Sequence, residues 1–162
     1  RLIILNGWSK TYAMTGWRLG YGVFPNSLIE VADKLAVNVH SCVNASAQYA
    51  ALEALNGPQD CVTIMNNAFK IRSKIMFEEL NKLDLISCKN PQGAFYCFPN
   101  ISKLNLSSLD FQNKLLEDAG VAAIAGTSFG EFGEGFLRFS CASSEESIKR
   151  AIEKLFLFLS NL

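Results

Sequence analysis

The chain has 162 residues, with 15 basic and 15 acidic groups and a hydrophobic share of 49%, enough for one domain or for a small domain and a piece of another. Zero net charge offers no basic face to nucleic acid or anionic lipid, and the longest apolar runs fall far short of a membrane span. A small acidic or zwitterionic substrate is still compatible, since it needs one local cation and not a global field.

Residues 2–5 are a continuous apolar run with β-branched members, closed by Asn6-Gly7, and read as a strand buried on both faces. Residues 19–24 read as a second strand, ended by Pro25-Asn26. The stretch between them is too short for a crossover helix, so as neighbours they are antiparallel. It reads NGWSKTYAMTGWRLGY from Asn6 to Tyr21, and Lys10 and Arg18 are its only formal charges. A buried amine among uncharged neighbours is driven toward its neutral form and condenses with carbonyl compounds. A guanidinium fork suits phosphate or carboxylate. The plain alternative is a solvated lysine in a turn and an arginine stacked on Trp17.

Leu28, Ile29, Val31, Ala32 and Leu35 make a short amphipathic segment. Asn44 is an N-cap for an alanine-rich helix that Gly57 ends. Pro58 suits the first turn of the next helix, whose apolar residues recur at three- and four-residue steps from Ile64 to about Leu83. Composition changes there, which sets the expected domain boundary: residues 1–83, then a small α+β domain over 84–162.

In that second part, residues 85–88 and 94–98 read as two strands of a hairpin around the turn Asn90-Pro91-Gln92-Gly93. Ser107 and Asp110 open a helix carrying Phe111, Leu115 and Ala119, which Gly120 stops. Residues 121–125 form a short strand. GTSFGEFGEG, residues 126–135, lacks Gly-Lys-Ser/Thr and leads into a strand instead of a helix, which excludes a nucleotide loop. In the strand over 136–141, alternation puts Leu137, Phe139 and Cys141 on one face and Arg138 with Ser140 on the other. Ser143 and Glu146 form a capping box for a last helix with Ile148, Ala151, Ile152, Leu155, Phe156 and Leu159 on its apolar face. Arg138, among aromatic residues, needs an anion if it is buried, and the structural alternatives are an ion pair with Glu131 or Glu134 or simple exposure on the outer face.

The five cysteines are scattered and never spaced as C-x-x-C, and His40 is the only histidine. That pattern fits neither a disulfide framework nor a structural zinc site, and reduced thiols point to a cytoplasmic setting.

The run from Lys10 to Tyr21 resembles the lysine segment of the class I and II aminotransferases that use pyridoxal 5'-phosphate (PLP), of the aspartate aminotransferase group. FGEFGEGFLRFSCA and Gly93-Ala94-Phe95-Tyr96 resemble segments of that family's small domain. The resemblance implies an α/β fold: the C-terminal part of the fold-type-I large domain, followed by the small α+β domain. It implies PLP held covalently by Lys10, its phosphate bound by Arg18, and the substrate carboxylate held bidentately by Arg138. Many relatives carry hydroxyls two or three positions before the lysine, where Gly7 and Trp8 stand here, so Ser9 is the nearest hydroxyl and the remaining candidate for the phosphate. Ala125 stands where proline is frequent.

The implied reaction moves an amino group between an amino acid and a 2-oxo acid in a homodimer, with an acidic, aspartate-like substrate as first choice and prephenate or an aromatic amino acid still open, and with neither nucleic acid nor membrane as partner. The alternatives are a PLP lyase or decarboxylase of the same fold, and a non-catalytic dimerisation or binding module. The family's ring-stacking aromatic and its acidic partner for the pyridine nitrogen precede the lysine in sequence. The chain therefore reads as a C-terminal part, inactive alone, whose first strand awaits cover from elsewhere.

Overall fold

The structure, a computed structural model, describes residues 2–162. The chain divides into two compact units, Arg1–Ile64 and Met65–Leu162.

In the first unit, β1 (Ile4–Gly7) and β2 (Gly20–Val23) pair antiparallel, from Ile4↔Val23 to Gly7↔Gly20. The pairing is the expected one, but the expected two-sided burial is absent: Leu2 is 71% and Leu5 74% exposed, because no second layer within the unit covers the hairpin. Helix α1 (Asn26–His40) runs longer than the short segment expected, and none of its residues is buried. Helix α2 (Ala45–Asn56) starts where Asn44 accepts a hydrogen bond from the Ala47 N–H, at 3.1 Å, and stops before Gly57. The unit's small core joins Trp8 and Met14 to Ala51 of α2.

Helix α3 (Asp60–Leu80) begins after Pro58, which stays outside it, and ends before Leu83. The side chain of Asn81 accounts for the stop. Its Nδ2 donates to the carbonyls of Phe77, at 2.8 Å, and Cys88, at 3.0 Å, while its Oδ1 accepts from the Cys88 N–H at 2.9 Å. A side-chain amide competing for these backbone groups ends the helix and also occupies residue 88. The expected hairpin between residues 85–88 and 94–98 is not formed: Ser87 makes an isolated antiparallel bridge to Asn100, and Tyr96–Cys97 pairs with Leu137–Ser140. Met76 and Leu80 lie in the second unit's core, and the division between the compact units falls within α3.

The second unit holds a three-stranded antiparallel sheet in the order β3 (Tyr96–Cys97), β5 (Leu137–Ser140), β4 (Ile124–Ala125). Leu137 and Phe139 of β5 enter the core with Phe111 and Leu115 of α4 (Ser108–Ala119) and Ile148, Ile152 and Leu155 of α5 (Glu145–Leu159). Ser107 caps α4 and Gly120, at φ 64°, ends it in the left-handed conformation glycine adopts without strain. The cap of α5 is Ser144, one residue later than the expected Ser143 and Glu146 box: its Oγ accepts from the Ser147 N–H at 3.1 Å. Phe156 is exposed, and Phe158 instead tilts against Phe111 with ring centroids 5.7 Å apart. Cys88, Cys97 and Cys141 are buried free thiols, and hydrogen bonding to Cys141 and Cys88, with burial, pushes the Cys97 thiol up. No helix among the described residues is long and apolar enough to cross a membrane.

Candidate active site

Ser9, Lys10 and Arg18 lie on one connection, residues 8–19, whose ends meet at the Gly7↔Gly20 pair. Glycine suits both ends because the strands close tightly there: a Cβ on Gly20 would stand 2.9 Å from the Asn6 carbonyl, and one on Gly7 3.2 Å from the Leu19 carbonyl. Inside the connection the chain folds on itself through hydrogen bonds from the Tyr12 N–H to the Trp8 carbonyl and from the Ala13 N–H to the Lys10 carbonyl, each 3.2 Å.

Two apolar residues pin the connection to α2. Trp8 and Met14 are buried, and the Trp8 indole N–H donates to the Ala51 carbonyl at 3.2 Å while its ring meets Tyr21 edge-on at 5.2 Å. Lys10 follows one anchor by two residues and Arg18 follows the other by four. Arg18 has left-handed backbone, φ 54° and ψ 53°, closing a 3-10 turn over Thr15–Trp17, and its guanidinium donates to the Thr15 carbonyl at 2.8 Å. That bond uses one of the five donors and leaves a fork for an anion. Lys10 and Arg18 are both exposed and Ser9 is half-buried. The burial expected of Lys10 from its uncharged flanks is thus not provided by the described residues, whereas a primary amine, a guanidinium and a hydroxyl on one short connection match the donor set that a phosphorylated aldehyde requires.

Arg138 belongs to the second unit, on the face of β5 opposite the core. The expected ion pair with Glu131 or Glu134 is not formed. The ion pairs among the described residues are Lys34–Glu30, Lys74–Glu78 and Lys82–Glu79, and Glu134 is committed elsewhere. Its Oε1 accepts from the Ser108 N–H (2.8 Å), the Ser108 hydroxyl (3.1 Å) and the Gly135 N–H (3.1 Å), and the Ser108 and Gly135 N–H groups hold its carboxyl below the usual carboxylate range. The carboxylate sits at the start of α4, where the helix dipole favours negative charge. The Arg138 guanidinium carbon lies instead 4.4 Å from the centroid of the Tyr96 ring and 4.3 Å from that of Phe129. Ser108, Tyr96, Phe129 and Trp8 were not visible as working residues from spacing alone; a glycine-aromatic step before Tyr96 and the glycines around Phe129 were the only local signals.

The family described as aminotransferase class I and II matches residues 1–155. The chain is 42% identical over 155 residues to an aspartate aminotransferase of Pyrococcus horikoshii, covering 94% of this chain and 40% of that one. It is 39% identical over 171 residues to an aspartate/prephenate aminotransferase of Nitrosomonas europaea, covering 99% and 43%. The crystal structure of an aromatic aminotransferase from Pyrococcus horikoshii superposes with a TM-score of 0.94 at 37% identity, over 98% of this chain and 43% of that one. The chain thus spans about two fifths of the length of these relatives.

Proposed function

Because the chain belongs to the class I and II aminotransferases, we propose that in the full-length protein it supplies the lysine, the phosphate-binding arginine and the carboxylate-binding arginine of a PLP-dependent aminotransferase acting on an amino acid and a 2-oxo acid. One observation carries the reading: Ser9, Lys10 and Arg18 share a connection closed by paired glycines and pinned by Trp8 and Met14. Such pinning fixes where a flexible amine and a guanidinium emerge, which proximity catalysis requires.

PLP, when bound, supplies the electron sink that stabilises negative charge at the substrate Cα. Lys10 is the attachment point through Nζ. When not bonded to the cofactor, the same Nζ would hold and move the proton at the substrate Cα, as general base and then general acid. Arg18 receives the phosphate in its fork, and Ser9 offers the nearest hydroxyl donor. Arg138 binds the α-carboxylate of amino acid and oxo acid alike, which orients the Cα–H bond. An acidic, aspartate-like substrate is the proposed first choice, by analogy with the aspartate aminotransferase among the relatives. The cytoplasm is the proposed setting and a homodimer the proposed assembly.

The test is turnover by the full-length protein with PLP, aspartate and 2-oxoglutarate. Oxaloacetate and glutamate in equal amounts are expected, with turnover abolished by Lys10→Ala. Release of ammonia or carbon dioxide without amino transfer would move the protein to the lyases.

A further inference from the structure

We propose that Tyr96 and Phe129 are positioning residues that hold the plane of the Arg138 guanidinium so that its N–H edge, and not its face, meets the substrate carboxylate. The proposal rests on the reading of Arg138 as the carboxylate anchor, and deepens it. It starts from the sheet order, in which β5 lies between β3 and β4. Tyr96 is on β3, paired with Ser140 and so diagonal to Arg138, within reach of an aromatic side chain. Phe129 ends the 3-10 turn Gly126–Phe129 that directly follows β4. One ring therefore reaches the guanidinium from β3 and the other from the turn after β4, at 4.4 and 4.3 Å.

Each ring has aromatic neighbours, although Phe129 is half exposed. Phe95 packs on Tyr96 at 4.5 Å and Phe69 stacks on Phe95 at 5.5 Å. On the other side Phe98 meets Phe129 at 6.3 Å and stacks on Phe136 at 5.2 Å with the ring planes 7° apart. The turn bearing Phe129 is itself tied down: the Gly126 N–H donates to the Phe136 carbonyl at 2.8 Å, and Gly126 and Gly133 lie too close for either to carry a side chain.

The chemistry of the neighbours matters as much as their distance. A carboxylate partner would hold Arg138 too, but it would occupy the in-plane N–H donors and compete with a substrate carboxylate for them. An aromatic face attracts the cation through its quadrupole and accepts none of those in-plane hydrogen bonds. Glu134, the acid nearest in sequence that could compete, is held by Ser108 and Gly135. The result is a half-buried guanidinium with its orientation constrained and its bidentate edge available, as specific recognition of a planar anion demands.

The experiment measures succinate binding to the full-length PLP-loaded protein by calorimetry, alongside KM and kcat for aspartate and the cofactor absorption band. Succinate carries carboxylates and has no amino group to exchange. Tyr96→Leu and Phe129→Leu are each expected to weaken succinate on the order of tenfold with the absorption band retained, while the ring-preserving Tyr96→Phe and Phe129→Tyr stay within about threefold. In an Arg138→Lys background, the leucine changes should add almost nothing, since the planar group they orient is gone. Wild-type succinate affinity in both leucine variants, or an equal further loss in the Arg138→Lys background, would overturn the positioning role. If Arg138→Lys itself leaves succinate and aspartate binding unchanged, the anchor reading fails, and the positioning proposal with it.

Discussion

Replacing Ser108 by alanine should loosen the turn that carries Phe129, although the hydrogen bonds of Ser108 run to Glu134, Gly135 and Phe136 and not to Phe129 or Arg138. Ser108 is fully buried, and its Oγ accepts from the Gly135 N–H at 2.8 Å and the Phe136 N–H at 3.2 Å while donating to Glu134 Oε1 at 3.1 Å. Alanine removes all three hydrogen bonds. The full penalty for stranded amides does not apply, because the Gly135 N–H keeps Glu134 Oε1 at 3.1 Å and the Phe136 N–H keeps the Gly133 carbonyl at 3.2 Å. Net losses of about 0.5–1.5 kcal/mol per bond, partly offset by these second acceptors, leave about 1–2 kcal/mol. That corresponds to a roughly 5- to 30-fold increase in local opening. Hydrogen exchange followed by mass spectrometry on the full-length protein reads this directly in peptides covering residues 126–138. Exchange there should accelerate by that factor while peptides from α2 are unaffected. Protection within twofold of wild type, or an equal loss in α2, would refute the assignment of Ser108 as the local tie.

The same tie carries a pH dependence. Backbone N–H donors hold the folded Glu134 carboxyl below its ordinary value of 4.5, so its contribution is complete above about pH 4.5 and is lost as pH falls through the lower folded value. Exchange protection of residues 126–138 should therefore decline on acidification below that point, and Glu134→Gln should flatten the decline; an unchanged profile would contradict it. At the other site, Trp8→Ala deletes a buried indole and its bond to the Ala51 carbonyl, a loss of about 3–5 kcal/mol. Trp8→Phe, which keeps one aromatic ring but loses the indole N–H and part of the buried volume, should lose less, about 1–3 kcal/mol. Limited proteolysis within residues 8–19 should rise steeply for the alanine variant and little for phenylalanine, and equal susceptibility of the two would count against the pinning role.

Local chemistry made much of this fold legible. Asn44 and Ser107 mark helix starts through their side-chain oxygens, Gly120 a helix end through its left-handed backbone and Gly57 one where a Cβ would crowd the Glu53 carbonyl, and the alternation of Leu137, Arg138, Phe139 and Ser140 reports the two faces of β5 correctly. What escaped depends on partners distant in sequence. Asn81 ends α3 and occupies Cys88 through hydrogen bonds that no hydrophobic period encodes, so the helix stops before Leu83 and residues 85–88 form no hairpin. Two-sided burial of β1 was inferred from its apolar residues, but within its own unit there is nothing to cover them. The surroundings of Arg138 were unreadable for a related reason: the rings that flank it come from residues 42 positions before it and 9 before it, and only the sheet order brings them together. The acids close by in sequence made the ion pair look natural, yet a helix start at Ser108 had claimed Glu134.

The proposed attachment of PLP to Lys10 is tested most directly by reductive labelling. The full-length protein is incubated with PLP, reduced with borohydride, digested and mapped by mass spectrometry. The account predicts a stable pyridoxyl phosphate group on the peptide containing Lys10, at near one equivalent, with none on peptides containing Lys34, Lys70 or Lys74. A label spread over these exposed lysines, or placed stoichiometrically on one of them while Lys10 stays unmodified, would contradict it.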